Sequence, residues 1–230
     1  MEHLISVKTF ENGVMSVSEF KNANLHKKEV AGIVLQTETI GLILALPSWK
    51  EKWGSEDICV DVKNDDDYIG EAKALTTLCG LEATQRIVKA HENYEGMYAA
   101  KRCLEYDCAG LQWYLPSLYE LGMLAAFKNE INAVLDELGL SDAKLKDEWS
   151  WSSSETNQTG AWYVSFSNGY FDDVIDFKFS SGVVRAVCAF EPLRGVLSTP
   201  SEKTELTDDE LIALLKQRNY KGEITKTFKL

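Results

Sequence analysis

Basic charge is scarce in this chain: 24 lysines and arginines stand against 36 acidic residues, a net charge of −12 over 230 residues. An acidic chain repels phosphate backbones and anionic headgroups, which argues against nucleic-acid partners and against docking on a membrane surface. No apolar stretch approaches the length that spans a bilayer, and MEHLISVKTFENG lacks the basic-then-apolar opening of a secretory signal. A cytoplasmic location is therefore expected unless some other carrier takes the protein outside.

Metal-binding and catalytic patterns are also missing. The three histidines, His3, His26 and His91, are scattered. The five cysteines, Cys59, Cys79, Cys103, Cys108 and Cys188, are odd in number, and no histidine or second cysteine pair sits near Cys103 and Cys108. They read as reduced packing residues. Residues 64–67, Asn-Asp-Asp-Asp, resemble the start of an EF-hand loop but lack its sixth-position glycine and closing glutamate, so a helix cap is expected there instead. There is no GxSxG elbow, phosphate-cradling glycine loop, HExxH or GxGxxG. Glu120, Glu155, Asp172, Asp173 and Asp176 would form a catalytic pair only if the fold brought two together, and solvated acids are the commoner outcome. No cofactor, no metal and no enzymatic activity are expected.

With 45% hydrophobic residues the chain has enough apolar material for a sizeable core. LISVKTF and GVMSVSEF read as short strands joined at Asn12-Gly13, a hairpin dipeptide. VAGIVLQT and IGLILALP read as a strand pair. A broken helical pattern follows over residues 69–90, a short helix over 98–106, and an amphipathic helix from Pro116 to Leu138 that stops at Gly139. The period then changes from 3.6 to 2, with Trp162, Val164 and Phe166 alternating against Tyr163 and Ser165, and residues 183–190 read as a central strand. Pro192 opens a polar linker, and a short helix and strand close the chain. This divides the chain into a β arm over 1–28, a main domain over 29–191 and a tail over 192–230 that docks on a partner or on the same chain.

Residues 149–169, WSWSSSETNQTGAWYVSFSNG, place three of the six tryptophans among hydroxyl and amide side chains. Rigid rings beside small adaptable polar groups suit a binding surface. A strand–loop–strand corner with core rings and a polar turn fits the same residues, and the window alone leaves both open.

The features from Trp113 onward come in a recognisable order: WYLPSLYEL (113–121), a helix, WSSS (151–154), AW (161–162), VSFSNG (164–169) and VVRAVCAF (183–190). Together they resemble the C-type-lectin-like domain family of bacterial and phage proteins that includes the variable proteins of diversity-generating retroelements. The resemblance covers about eighty residues and extends loosely back to residue 30. It implies an α+β, loop-rich C-type-lectin-like fold, with two main helices packed on small twisted antiparallel sheets. Trp151, Trp162 and Arg185 would be scaffold. The ligand face would hold Thr156, Asn157, Gln158, Tyr163, Ser165, Tyr170, Asp172, Asp173, Phe177 and Phe179. The calcium signatures of sugar-binding animal lectins are absent, since Glu191-Pro192-Leu193 keeps only two of three residues. The implied function is non-catalytic receptor recognition of a cell-surface protein or glycan, on a virion or phage tail bound through the arm or the tail, with a homo-oligomer possible. The alternative is a virion assembly protein in which the domain is a spacer and the tail mediates assembly.

Overall fold

At Asn12-Gly13 the chain turns as expected, with Gly13 at φ +76°, a left-handed conformation that glycine adopts without steric cost. The turn joins β1 (His3–Thr9) to β2 (Val14–Met15). Beyond Met15 the expected strand gives way to a helix. The Ser16 hydroxyl accepts the Glu19 N–H at 3.1 Å and the Glu19 carboxylate accepts the Ser16 N–H at 2.8 Å, a capping box that starts α1 (Val17–Asn22). The computed structural model describes residues 3–38, 40–55, 58–63, 67–172 and 178–190, within a first compact unit, Met1–Leu197. The expected linker and tail over 192–230 lie outside the described residues.

β3 (Val30–Thr37) and β4 (Gly41–Ala45) pair antiparallel, with Gly32 opposite Ala45 and Gln36 opposite Gly41. β1 pairs antiparallel along the other edge of β3, from His3 opposite Thr37 to Lys8 opposite Gly32. The expected arm is thus part of a five-stranded sheet of order β10-β4-β3-β1-β2, with β1 interior, β2 at one edge and β10 (Val187–Ala189) at the other. Both faces of this sheet are covered. Ile33, Leu35, Leu42 and Leu44 join one apolar cluster, while Val34 and Ile43 join another. Burial on both sides explains why VAGIVLQT and GLILA are nearly continuous apolar runs rather than alternating ones.

The second sheet has the order β5-β9-β6-β7-β8, from β5 (Trp49–Lys52), β6 (Trp149–Glu155), β7 (Ala161–Ser165), β8 (Phe171–Asp172) and β9 (Ser181–Val184). Its pairings are antiparallel except where β6 meets β9 in parallel at Ser150 and Val183. Gly182 lies under the Trp149 ring, where a Cβ would have no room. The architecture is α+β, with antiparallel and mixed sheets and short helices.

The helical segment over 69–90 is α2 (Glu71–Ala74) and α3 (Leu81–Ala90), and α4 (Ala99–Leu104) follows. The N-cap of α2 is Gly70 and not the acidic run; Asp67 accepts the Lys63 N–H at 2.8 Å, and residues 64–66 lie outside the described ones. The single helix expected from Pro116 is two, α5 (Leu118–Ala126) and α6 (Lys128–Glu137), because Phe127 leaves the helical region at φ −104°, ψ 18°. Gly139 ends α6 at φ +69°, and the Leu140 N–H donates back to the Leu135 carbonyl at 2.7 Å. Leu118, Leu121, Leu124, Ile131 and Leu135 are buried in the first cluster with Trp162, Val164 and Phe166. Trp53, Trp113, Trp151 and Tyr163 anchor the second. Cys79, Cys103, Cys108 and Cys188 are free thiols, Cys103 and Cys188 buried and Cys79 exposed. Among the described residues, no helix is long and apolar enough to cross a membrane.

Candidate ligand-binding surface

The serines of β6 belong to a buried, irregular strand. Its register with β7 runs from Trp149 opposite Ser165 to Trp151 opposite Tyr163, then shifts before Glu155 meets Ala161. A shift strands ladder groups, and buried ones need other partners. The Ser152 hydroxyl donates to the Trp162 carbonyl at 2.8 Å and the Ser150 hydroxyl to the Val183 carbonyl at 2.9 Å. The Trp53 indole N–H donates to the Ser152 carbonyl at 2.8 Å, and the Ser153 N–H to the Pro116 carbonyl at 2.7 Å. Around these small groups Trp149 meets Trp151 and Tyr163 with ring centroids 4.9 and 5.2 Å apart. In the first half of the window Trp151 packs inward as the corner reading expects, while the polar run is a buried strand and not a turn.

At the end of β6 lies a fully buried ion pair. Lys178 Nζ contacts Glu155 Oε1 at 2.5 Å and donates to the carbonyls of Gln158 at 2.6 Å and Ile58 at 3.1 Å. The Glu155 carboxylate also accepts the N–H groups of Val60, Asp61 and Val62, the shortest at 2.6 Å. Lys178 Nζ stands 5.0 Å from the centre of the Trp53 ring, a cation–π contact. One pair thereby fastens three loops, at 58–62, 156–160 and 178. Each charge is surrounded by hydrogen-bonding groups, the condition under which a buried pair is tolerated.

The expected face separates into parts. Thr156 (0% exposed) and Tyr163 (7%) are buried, so neither side chain is on a surface. Alternation correctly set Tyr163 opposite Trp162 and Val164, but Trp149 and Trp151 cover that second face. Asn157 and Gln158 are half-buried in the β6–β7 turn, where the Asn157 carboxamide oxygen accepts the N–H groups of Thr159 and Gly160 at 2.9 and 2.7 Å. Phe179, beside Lys178 at this end, is exposed. Ser165, half-buried, and Tyr170, 69% exposed, lie at the far end of β7, roughly 13 Å away at about 3.3 Å per strand residue. Asp172 pairs through its backbone with Tyr163. Asp173, Asp176 and Phe177 lie outside the described residues.

A cleft of about 490 Å³ adjoins the Tyr170 end. Phe166 and Phe171 supply its apolar rings, Gly122, Ala125 and Ala126 of α5 one wall, and Lys128, Asn129, Ser167 and Asn168 its polar edge. Gly122 is required here, because a Cβ would stand 2.8 Å from the Phe171 ring. Lys128 Nζ is held by the Phe166 carbonyl at 2.8 Å and by Asp147. The sequence reading missed this cleft because it ran one helix through Phe127, where the chain bends.

Glu120, a catalytic candidate by residue type, is buried at the start of α5. Its Oε2 accepts the N–H groups of Ser117 and Gly80, each at 2.9 Å, and its Oε1 accepts the Tyr114 hydroxyl at 2.5 Å. It is half of a capping box and also a staple between α5 and the start of α3. Burial raises its pKa above the ordinary 4.5, against the lowering effect of these hydrogen bonds. A raised carboxyl pKa means the folded state holds its proton to higher pH than the unfolded chain does, so stability falls as pH rises through the interval above 4.5. Glu120→Gln should flatten that interval in a series of thermal melts. Glu120→Ala should cost about 1–3 kcal/mol, because buried donors lose their acceptor.

No family model and no curated protein matches the sequence. Among solved structures the chain is similar in fold to a fimbrial protein from Bacteroides ovatus, with a TM-score of 0.59 and 16% identity over 80% of this chain and 48% of that one. The chain spans about half the length of that neighbour.

Proposed function

We propose that this chain is a non-catalytic recognition module, a C-type-lectin-like scaffold whose exposed face binds a protein or glycan on another cell. The observation that carries the reading is Tyr170, a ring 69% exposed on the turn that walls the 490 Å³ cleft. An exposed ring on a turn whose neighbours Gly169 and Phe171 line a cleft of mixed apolar and polar residues is the kind of feature a binding surface presents. The scaffold half of the reading is supported by the burial of Trp151, Trp162 and Arg185 and by the Ser117 cap that opens α5 within WYLPSLYEL. Glu120 and Glu155 are occupied by capping and ion-pair roles, which favours binding over catalysis. The carrier we infer is a phage or prophage tail, joined through residues beyond the domain.

The test is capture of the full chain by intact bacterial cells and by a glycan array. Tyr170→Ala should weaken binding by at least about 2 kcal/mol, or about thirty-fold, and leave Tm unchanged. Equal capture by the variant, or no capture by the wild type, rejects the reading.

The fimbrial neighbour favours a second reading, an assembly protein of a surface fibre or virion in which the domain is a spacer. Under it the full chain self-associates in solution, and Tyr170→Ala has no effect on that.

A further inference from the structure

His91 caps the C-terminal end of α3 and is only 1% exposed. Both of its ring nitrogens are in use. Nδ1 stands 2.8 Å from the Ile87 carbonyl, and a carbonyl only accepts, so Nδ1 carries the proton. Nε2 lies 3.0 Å from the Ser55 backbone nitrogen, and an N–H only donates, so Nε2 offers its lone pair. The two bonds together fit one species, the neutral imidazole protonated at Nδ1. An imidazolium would set a second N–H against that of Ser55. The ring has little room to withdraw. Its centre lies 4.8 Å from that of Tyr98, 6.0 Å from Tyr94 and 6.4 Å from Trp53, and a Cβ on Gly54 would overlap Nε2.

The charges acting on this ring oppose one another. Among the described residues Lys178, which also contacts the Trp53 ring, disfavours a second cation, while Glu155 favours one. The Ile87 carbonyl at the negative end of α3 favours the imidazolium as well. Tyr94 and Tyr98 are the titratable groups in ring contact, and burial pushes the Tyr98 hydroxyl up to about 12, so it adds no charge. Glu56 and Asp57, next to Ser55, lie outside the described residues. Burial outweighs the favourable terms, and the His91 pKa falls below its ordinary 6.5.

We propose that the His91–Ser55 contact is an acid-operated latch, in which protonation at Nε2 detaches Ser55 from the end of α3 and loosens the segment Trp53–Ser55. That segment also holds the buried ion pair. The Trp53 and Gly54 N–H groups donate to the Lys178 carbonyl at 2.9 and 3.2 Å, and the Trp53 ring faces Lys178 Nζ. Loosening it admits water to the ammonium, and the turn whose Gln158 carbonyl that ammonium binds is freed with it.

The test is amide hydrogen exchange of the full chain by NMR between about pH 7.5 and 5, with the His91 ring followed by its nitrogen shifts. At the upper end the ring should show the Nδ1–H tautomer. Opening returns His91 to an ordinary pKa near 6.5, whereas the closed form holds it lower, so each pH unit below 6.5 should favour opening by up to about tenfold. The Ser55 protection factor, corrected for intrinsic exchange, should fall by that factor, with Trp53 and Gly54 following, while the β3 amides hold. The fall should stop at the pH where His91 itself titrates in the folded protein. His91→Gln, neutral throughout, should remove the dependence; if this variant does not fold, the match between Ser55 exchange and the ring titration of the wild type decides alone. A Ser55 protection factor independent of pH, an Nε2–H tautomer, or the same pH dependence in folded His91→Gln overturns the proposal.

Discussion

Lys178→Met should lower stability by about 3–5 kcal/mol, the penalty for leaving one member of a buried ion pair without its partner. Methionine keeps most of the aliphatic volume against Trp53, so the loss comes from the Glu155 carboxylate. That carboxylate would keep the N–H groups of residues 60–62 but lose its cation in a site sealed from water. The two carbonyls at Ile58 and Gln158 would also lose their donor. Lys178→Met paired with Glu155→Gln should recover part of the loss, because the double variant buries no charge. Urea unfolding of the two single variants and the double variant measures the coupling. A single variant as stable as the wild type would mean the pair is open to solvent.

Trp162→Ala should be of similar size, about 3–5 kcal/mol, from the transfer and cavity terms of a buried ring. The ring packs in the first cluster with Leu118 and Leu121, and its indole N–H donates to the Ile69 carbonyl at 2.8 Å. Trp151→Ala should cost about as much through its contacts with Trp149 and Tyr163, in the same 3–5 kcal/mol range for large-to-small changes. The two rings face different clusters but sit on paired strands, with Trp151 opposite Tyr163, so their effects should couple by about 0.5 kcal/mol or more in the double variant. Since small domains hold only about 5–15 kcal/mol in total, the double variant should be largely unfolded at 37 °C by circular dichroism. An unchanged melting temperature for Trp162→Ala would remove the ring from the core.

What the sequence made legible was local. The Asn12-Gly13 hairpin, the β3–β4 pair, a helix start close to Pro116, the Gly139 stop, and the alternation about Trp162 all rest on neighbours within a few residues, where propensity and period act directly. The missed features depend on distant contacts or on rival local signals. Alternation gave Tyr163 the right face and said nothing of the tryptophans that cover it. Ser16-x-x-Glu19 marked a helix start, but the apolar rhythm of GVMSVSEF pointed the other way. Glu155 and Lys178 are 23 residues apart, and no spacing rule joins a strand-end acid to a loop lysine. The expected binding face divided most, because Thr156 and Tyr163 are buried by residues that alternation and composition do not reveal.

The order of strands in the first sheet has a consequence for synthesis. β1, β3 and β4 emerge early and can pair while the rest of the chain is still being made, but the edge of β4 is capped by β10, more than 140 residues later. Until Val187–Ala189 leaves the ribosome, the nascent chain carries an apolar strand with an unfilled row of backbone donors and acceptors, the kind of edge that recruits other chains. Slow elongation or a stop before residue 187 should therefore yield aggregates rather than a smaller folded protein.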